Sequence, residues 1–250
     1  AGRGVHVYVV DTGVDIEHVE FGGRAIDAFS VFPARCGDWH GHGTHVAGII
    51  GAKTYGVAKE VTLHSVQVLD CKGRGDIGGI IEGLEWIAAN VQFPAVVNVS
   101  LGGYRAFALN QSVAKLIQRG IPVVVAAGND RFDACEYGPA STAGAITVAA
   151  SMRNDKRAGF SNYGGCVDIF APGYEILSSL PGGRKAALSG TSMAAPHVAG
   201  VVARYLETSP EDSPWTVGEV LKSVATSDIV DRTGEPPDKF SPNLLLSWPD

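Results

Sequence analysis

Along this chain, short unbroken apolar runs alternate with stretches in which apolar residues return every three or four positions. The unbroken runs cover residues 5–10, 62–69, 95–100, 121–127, 146–150 and 167–170, are rich in valine and isoleucine, and are bounded by glycine, proline or polar residues. That pattern predicts strands buried on both faces. The periodic stretches, residues 42–52, 77–90, 107–119, 192–206 and 216–225, predict helices. Strands and helices in alternation imply a parallel sheet covered by helices on both sides. Many of the 32 glycines fall where a strand hands over to a helix.

Composition narrows this without redirecting it. The 250 residues suit one large α/β domain spanning 1–250, and no proline- or serine-rich linker, charge block or repeat divides them. Apolar residues make up 45% of the chain and mean hydropathy is +0.11, enough for a substantial core. A net charge of −6 with scattered Lys and Arg leaves no electrostatic footprint for nucleic acid. No apolar run reaches the roughly 18 residues of a membrane span. The start, AGRGVHVYVV, lacks a charged leader and a cleavage site, so a signal peptide or propeptide is expected to be absent from this sequence.

Three motifs carry chemistry. VHVYVVDTG reads as a buried strand running into a turn, which puts Asp11 at the carboxyl end of a strand, where open α/β sheets place their sites. GHGTHVAGIIGA and SGTSMAAPHVAGVVARYL read as helices rich in small residues, with His42 and Ser192 at their N-termini beside exposed backbone N–H groups. A serine hydroxyl needs an imidazole to take its proton, and the imidazole needs a carboxylate to fix its tautomer. These are the required residue types, in the order Asp, His, Ser. The alternative of a nucleotide-binding protein fails, because the glycines after the first strand do not form the dinucleotide fingerprint.

Together with TYGVAK, VLDCKGRG, NVSLGG, VVAAGND, FSNYGGCVDIFAPG and SPNLLL, these motifs make the chain resemble the subtilisin-like serine proteases, in their proteinase K and aqualysin branch, over nearly its whole length. The resemblance implies a three-layer αβα fold with a mostly parallel central sheet. It also implies a secreted, monomeric endopeptidase that works through an acyl-enzyme and needs no catalytic cofactor. Its partners would be polypeptide substrates and its own propeptide, as inhibitor and chaperone; nucleic acid and membrane are not expected. The competing reading is a catalytically silent binding protein on the same fold. Relatives usually carry a segment ahead of the first strand, and here the chain starts almost on it.

Residue by residue, the resemblance assigns Asp11, His42 and Ser192 to the triad, and Asn129 with the Ser192 N–H to the oxyanion hole. An extended peptide binds generally by adding a strand to an exposed edge. The matching edges are Gly73, Arg74, Gly75, Asp76 and Ile77 on one side and Ser100, Leu101 and Gly102 on the other. Ile77 would wall the S4 pocket. Ala126, Ala127 and Gly128, with Tyr137 at the base, would bound S1, which receives the residue whose carbonyl is attacked (P1). No acidic residue is clearly placed in S1 by the motif, although Glu136 is adjacent, so P1 is expected to be apolar or aromatic, broadly, with a basic preference as the minor alternative. His18, His45 and His197 match structural positions, whereas His6, His40 and His64 receive no function. A cis bond is implied between Gly138 and Pro139. A structural calcium is implied at Asp168 with Ala143 and Ala145, whose mixed oxygen donors suit that ion. No CxxC pair points to zinc, and the resemblance implies the disulfides Cys36–Cys71 and Cys135–Cys166, hence an oxidising compartment.

Overall fold

The structure, a computed structural model, describes residues 1–33 and 37–249. Among these, a sheet of nine strands is formed by β1 (His6–Asp11), β2 (Ala25–Ser30), β3 (Thr62–Gln67), β4 (Ala95–Val99), β5 (Val123–Ala126), β6 (Ile146–Ser151), β7 (Ile169–Pro172), β8 (Thr226–Ser227) and β9 (Leu244–Leu245). Their spatial order is β8-β9-β7-β6-β5-β4-β1-β3-β2, and every pairing is parallel except β8 with β9. Five helices cover it: α1 (His42–Gly51), α2 (Ile77–Asn90), α3 (Phe107–Gln118), α4 (Thr191–Leu206) and α5 (Pro214–Val224).

Strand alternation builds the three layers. In β1, Val7 and Val9 join the core beneath α1, α4 and α5, while Tyr8 and Val10 point the other way into the core beneath α2 and α3. A strand apolar on both sides fits only between two helix layers, which is why the inner strands lack polar alternation. From β1 the chain builds outward to β3 and β2, then crosses back to lay β4 on the other flank of β1. That reversal opens a crevice at the carboxyl ends of β1 and β4, with Asp11 on one lip and Ser100 on the other.

The predicted elements appear with ends shifted by a few residues. Strand β2 was not anticipated, nor were the short strands β8 and β9: β2 lies at the sheet edge and is only partly buried, so its sequence AIDAFS carries no apolar run. A hairpin of Ile176–Leu180 with Arg184–Leu188 turns at Pro181 and docks on α1, where Ser178 Oγ donates to the His45 carbonyl (2.8 Å) and His45 Nε2 meets the Ala186 carbonyl (3.0 Å). His45 is therefore a fully buried clamp between helix and hairpin. Cys135 and Cys166 are joined, whereas Cys36 and its pairing with Cys71 lie outside the described residues. The Gly138–Pro139 peptide is cis, as is Phe93–Pro94.

Candidate active site

Asp11, the last residue of β1, is completely buried, and both its carboxylate oxygens reach His42 Nδ1, at 2.7 and 2.9 Å. A bidentate clasp of this kind fixes the imidazole plane and leaves Nε2 as the basic nitrogen. Burial disfavours the charged ring, but the charge and hydrogen bond of Asp11, with the charge of Asp38 behind them, outweigh it and raise the His42 pKa above its ordinary value.

The start of α1 is held by side chains from outside the helix. Asp38, 3% exposed, accepts from the N–H groups of Gly41 (2.8 Å) and Thr44 (2.7 Å) and from Thr12 Oγ1 (2.7 Å), while Thr12 Oγ1 accepts from Gly43 N–H (2.9 Å). A carboxylate on these orphan N–H groups is stabilised by the helix dipole and locks His42 in register with Asp11. Gly43 has no room for a side chain, because a Cβ there would stand 2.0 Å from the Gly13 carbonyl oxygen. Asp38 was not assigned from sequence; its position just before the GHGTH helix start was the available signal.

Ser192 sits in the first turn of α4, half-buried, and its hydroxyl donates to the Ser100 carbonyl at 3.0 Å. Among the described residues no hydrogen bond joins it to His42. In unliganded sites such contacts are often loose and tighten with substrate.

Asn129 is oriented by its neighbour on α4. Its Oδ1 accepts from the Thr191 backbone N–H (2.9 Å) and hydroxyl (3.0 Å), so the amide NH2 must face the cleft. A Cβ placed on Gly190 would lie 3.7 Å from both Asn129 Nδ2 and the Ser192 backbone nitrogen. Two donors thus border one small volume beside the nucleophile, as an oxyanion hole requires.

Asn129, Thr191 and Ser192 open onto a cleft of about 750 Å³ lined also by Leu69, Gly73, Arg74, Gly75, Ile80, Leu101, Gly102, Gly103, Tyr104, residues 126–128, Asp130, Tyr137 and Gly138. Of the residues assigned to substrate binding, Gly73, Arg74, Gly75, Leu101, Gly102, Ala126, Ala127, Gly128 and Tyr137 belong to this lining. Ser100 is 3% exposed and acts behind the wall, on Ser192. Asp76 and Ile77 are not part of this lining: the Asp76 carboxylate caps α2 by accepting from Gly79 N–H (2.8 Å), and Ile77 is 45% exposed. Ile80, one turn along the helix, lines the cleft with Leu101 and Tyr104.

The calcium expected at Asp168 was tested against the donors present. Asp168 Oδ2 accepts from Thr147 N–H at 2.9 Å, and Oδ1 holds the Lys222 ammonium at 2.9 Å, beside a cavity of about 310 Å³ that Ala143 and Ala145 also line. Burial works against the charged lysine, but the hydrogen bond and charge of Asp168, with Glu219, leave its pKa raised. A fixed positive charge on the one carboxylate of the set does not fit a divalent cation there. Among the described residues no cluster of three His, Cys, Asp or Glu side chains offers another metal site.

Of the remaining histidines, all but His40 are engaged in the scaffold. His197 Nδ1 meets the Met193 carbonyl (2.8 Å) inside α4, and burial pushes its pKa down to about 4. His18 Nδ1 accepts from Glu20 N–H (3.2 Å). His64 pairs with His6 Nδ1 (2.8 Å) and stacks on Tyr8. His40 is exposed, its ring centroid 6.2 Å from that of His42.

Comparison with known proteins agrees with this geometry. A family model described as the subtilase family matches residues 2–240. The chain is 50% identical over 252 residues to an extracellular serine proteinase of Thermus sp. (strain Rt41A), which covers 99% of this chain and 60% of that protein. It is 48% identical over 236 residues to alkaline serine exoprotease A of Vibrio alginolyticus, covering 93% and 44%. It is 44% identical over 241 residues to a cuticle-degrading protease of Metarhizium anisopliae, covering 94% and 62%. The chain therefore spans about half the length of the curated relatives it matches. Among solved structures, a cold adapted subtilisin-like serine proteinase superposes with a TM-score of 0.93 at 43% identity, covering 100% of this chain and 90% of that one.

Proposed function

Because the chain belongs to the subtilase family, pairs Asp11 with His42 and sets Asn129 and Ser192 around Gly190, we propose that it is a serine endopeptidase that cleaves polypeptides through an acyl-enzyme. The observation that carries this reading is the two-oxygen clasp of Asp11 on His42 Nδ1, which leaves Nε2 as the basic nitrogen. The Ser192 hydroxyl leaves the Ser100 carbonyl, gives its proton to His42 Nε2 and bonds to the substrate carbonyl carbon. The resulting oxyanion takes hydrogen bonds from Asn129 Nδ2 and the Ser192 N–H, while Asp11 stabilises the imidazolium. Collapse of the intermediate expels the amine, which takes the proton from His42, and water then repeats the cycle on the ester. Side chains and backbone supply every group in this sequence, so no cofactor is called for.

Strand-like edges at residues 73–75 and 101–103 suit main-chain recognition of an extended peptide, and the alanine walls near Tyr137 suit apolar or aromatic P1 residues. Secretion, action as a monomer, and synthesis with an inhibitory propeptide complete the reading. The Cys135–Cys166 bridge supports an oxidising compartment, and the Thermus relative is named extracellular. Substitution Ser192→Ala tests the activity: peptide hydrolysis is lost while circular dichroism is kept. Hydrolysis by the variant near the wild-type rate overturns the proposal.

A further inference from the structure

The strap that carries the oxyanion donor is shaped by one buried amide. Residues 127–132 follow β5 and pass twice through left-handed backbone, at Gly128 (φ +104°) and Arg131 (φ +57°), with Asn129 and Asp130 between them. Such a course takes backbone N–H and C=O groups off the sheet, where they must find other partners, and a non-glycine residue at positive φ persists only where its surroundings fix it. Asn162 supplies both. It is fully buried, and its side chain stands in for a peptide group: Oδ1 accepts from the N–H groups of Asp130 (2.9 Å) and Phe132 (3.0 Å), while Nδ2 donates to the Ala127 carbonyl (2.9 Å). Its backbone N–H donates to the Gly128 carbonyl (2.9 Å). The four bonds fall on both sides of Asn129.

Asn162 is itself braced. The Arg157 guanidinium donates to the Ser161 carbonyl (2.7 Å), one residue earlier, and pairs with Glu235 at 3.4 Å, the two side chains being 7% and 0% exposed. Ser161 Oγ donates to the Asn162 carbonyl (2.9 Å) and accepts from Ala150 N–H (3.0 Å) in β6. The fit against the strap is close, since a Cβ on Gly128 would stand 2.4 Å from Asn162 Nδ2. A second hold comes from α4: Thr191 Oγ1 accepts from Gly128 N–H at 3.1 Å, and Thr191 donates twice to Asn129 Oδ1. Thr191 therefore sets which way the Asn129 amide faces, and Asn162 sets where the residue that carries it stands.

An oxyanion donor helps only if it is in place before charge develops, and a misplacement of about 1 Å can cost as much as 10²-fold in rate. Resting on the proteolytic reading above, we propose that Asn162 is a positioning residue for catalysis. It lies outside the cleft lining and acts through the strap, by holding the Asn129 amide where the transition state needs it. An asparagine that served stability alone would be felt in the melting temperature. One that positions Asn129 is felt in kcat, and only while Asn129 is present.

The test is a double-mutant cycle on the hydrolysis of one peptide amide, with kcat and KM measured for wild type, Asn129→Ala, Asn162→Ala and the double variant, and melting temperatures recorded as the folding control. Asn162→Ala should lower kcat about tenfold with little change in KM, part of what loss of the whole donor costs. In the Asn129→Ala background the same substitution should lower kcat by less than about twofold. Asn162→Asp keeps the acceptor for both N–H groups and loses the donor to Ala127; it should show the same dependence on Asn129, and it stands in if the alanine variant does not fold. An unchanged kcat, or an equal loss with and without Asn129, overturns this proposal and leaves the proteolytic one standing. Failure of both variants to fold does the same, by making Asn162 a residue of stability alone. A wild type that hydrolyses no peptide overturns both.

Discussion

Ser100 and Ser192 exchange two hydrogen bonds: Ser192 Oγ donates to the Ser100 carbonyl, and Ser100 Oγ donates to the Ser192 carbonyl, each at 3.0 Å. The second bond exists because Pro196 lies inside α4 and has no N–H for the carbonyl four residues earlier, which is that of Ser192. A helix residue that would ordinarily be satisfied internally is instead tied to the strand across the crevice. Asn98 Nδ2 donates to Ser100 Oγ in turn (2.9 Å), so the nucleophile is held by a chain of buried polar groups.

Removing that tie should be felt in stability. Ser100→Ala leaves the Ser192 carbonyl without a partner in a site that is nearly closed to water, a loss of roughly 1–2 kcal/mol. Urea denaturation in a Ser192→Ala background, which prevents autolysis, measures it. Equal midpoints with and without Ser100→Ala would show that the bond contributes nothing.

Oxyanion stabilisation should appear in turnover. Asn129→Ala should lower kcat by about 10²–10³-fold with little change in KM, a magnitude borrowed from the loss of the same kind of donor in a subtilisin. Thr191→Val, which removes one of the two bonds that orient the Asn129 amide, should lower kcat by less and move KM little. An unchanged kcat in Asn129→Ala removes that residue from the site.

The pH dependence of catalysis follows from His42. The base acts only when neutral, and Asp11 raises its pKa, so kcat/KM should fall on the acid side with a midpoint above the ordinary histidine value. Asp11→Asn should shift that limb to lower pH and reduce kcat by about 10⁴-fold through loss of the correct tautomer. An acid limb that stays in place in Asp11→Asn contradicts the assignment.

Stability should respond to acid through other histidines. His64 and His197 are pushed down to about 4, chiefly by burial, so between roughly pH 6.5 and 4 the unfolded chain takes up protons that the folded one refuses. Folding stability must therefore decline as pH falls through that window. His42, with a raised pKa, acts in the opposite sense and offsets part of the decline. Melting curves of the Ser192→Ala protein at pH 7.5 and 4.5 check this, and an equal or higher melting temperature at pH 4.5 would contradict it.

How much of this was legible beforehand depends on the distance over which each signal acts. Asp11, His42, Ser192 and Asn129 sit in local motifs at the ends of strands or the starts of helices, where periodicity and glycine placement mark the position. Ile77 and Ile80 show the limit: both are apolar residues of one helix, and only the packed face decides that Ile80 enters the cleft. Lys222 shows it more strongly. It lies far along the chain from Asp168, and no pattern near the FAPG turn announces that an ammonium from α5 reaches that carboxylate. Strand β2 was missed for the opposite reason, since a partly buried edge strand needs no apolar run.

The Lys222–Asp168 pair yields its own test. Both side chains are partly exposed, 38% and 24%, so the pair is worth about 1 kcal/mol at most. Lys222→Gln and Asp168→Asn should each lower the melting temperature, and the double variant should lose less than the sum. Wild type and Asp168→Asn should respond alike to EDTA and to millimolar calcium. A calcium-dependent rise in wild type that disappears in Asp168→Asn would restore a metal ion to that site.

The central claim is that Ser192 is a nucleophile activated by His42, and covalent labelling addresses it without any choice of substrate. Treating the protein with a phosphonofluoridate at neutral pH and mapping the adduct by peptide mass spectrometry should find one modified residue, Ser192, with labelling abolished in His42→Ala. Absence of an adduct on Ser192, or equal labelling in the His42→Ala protein, would contradict the account.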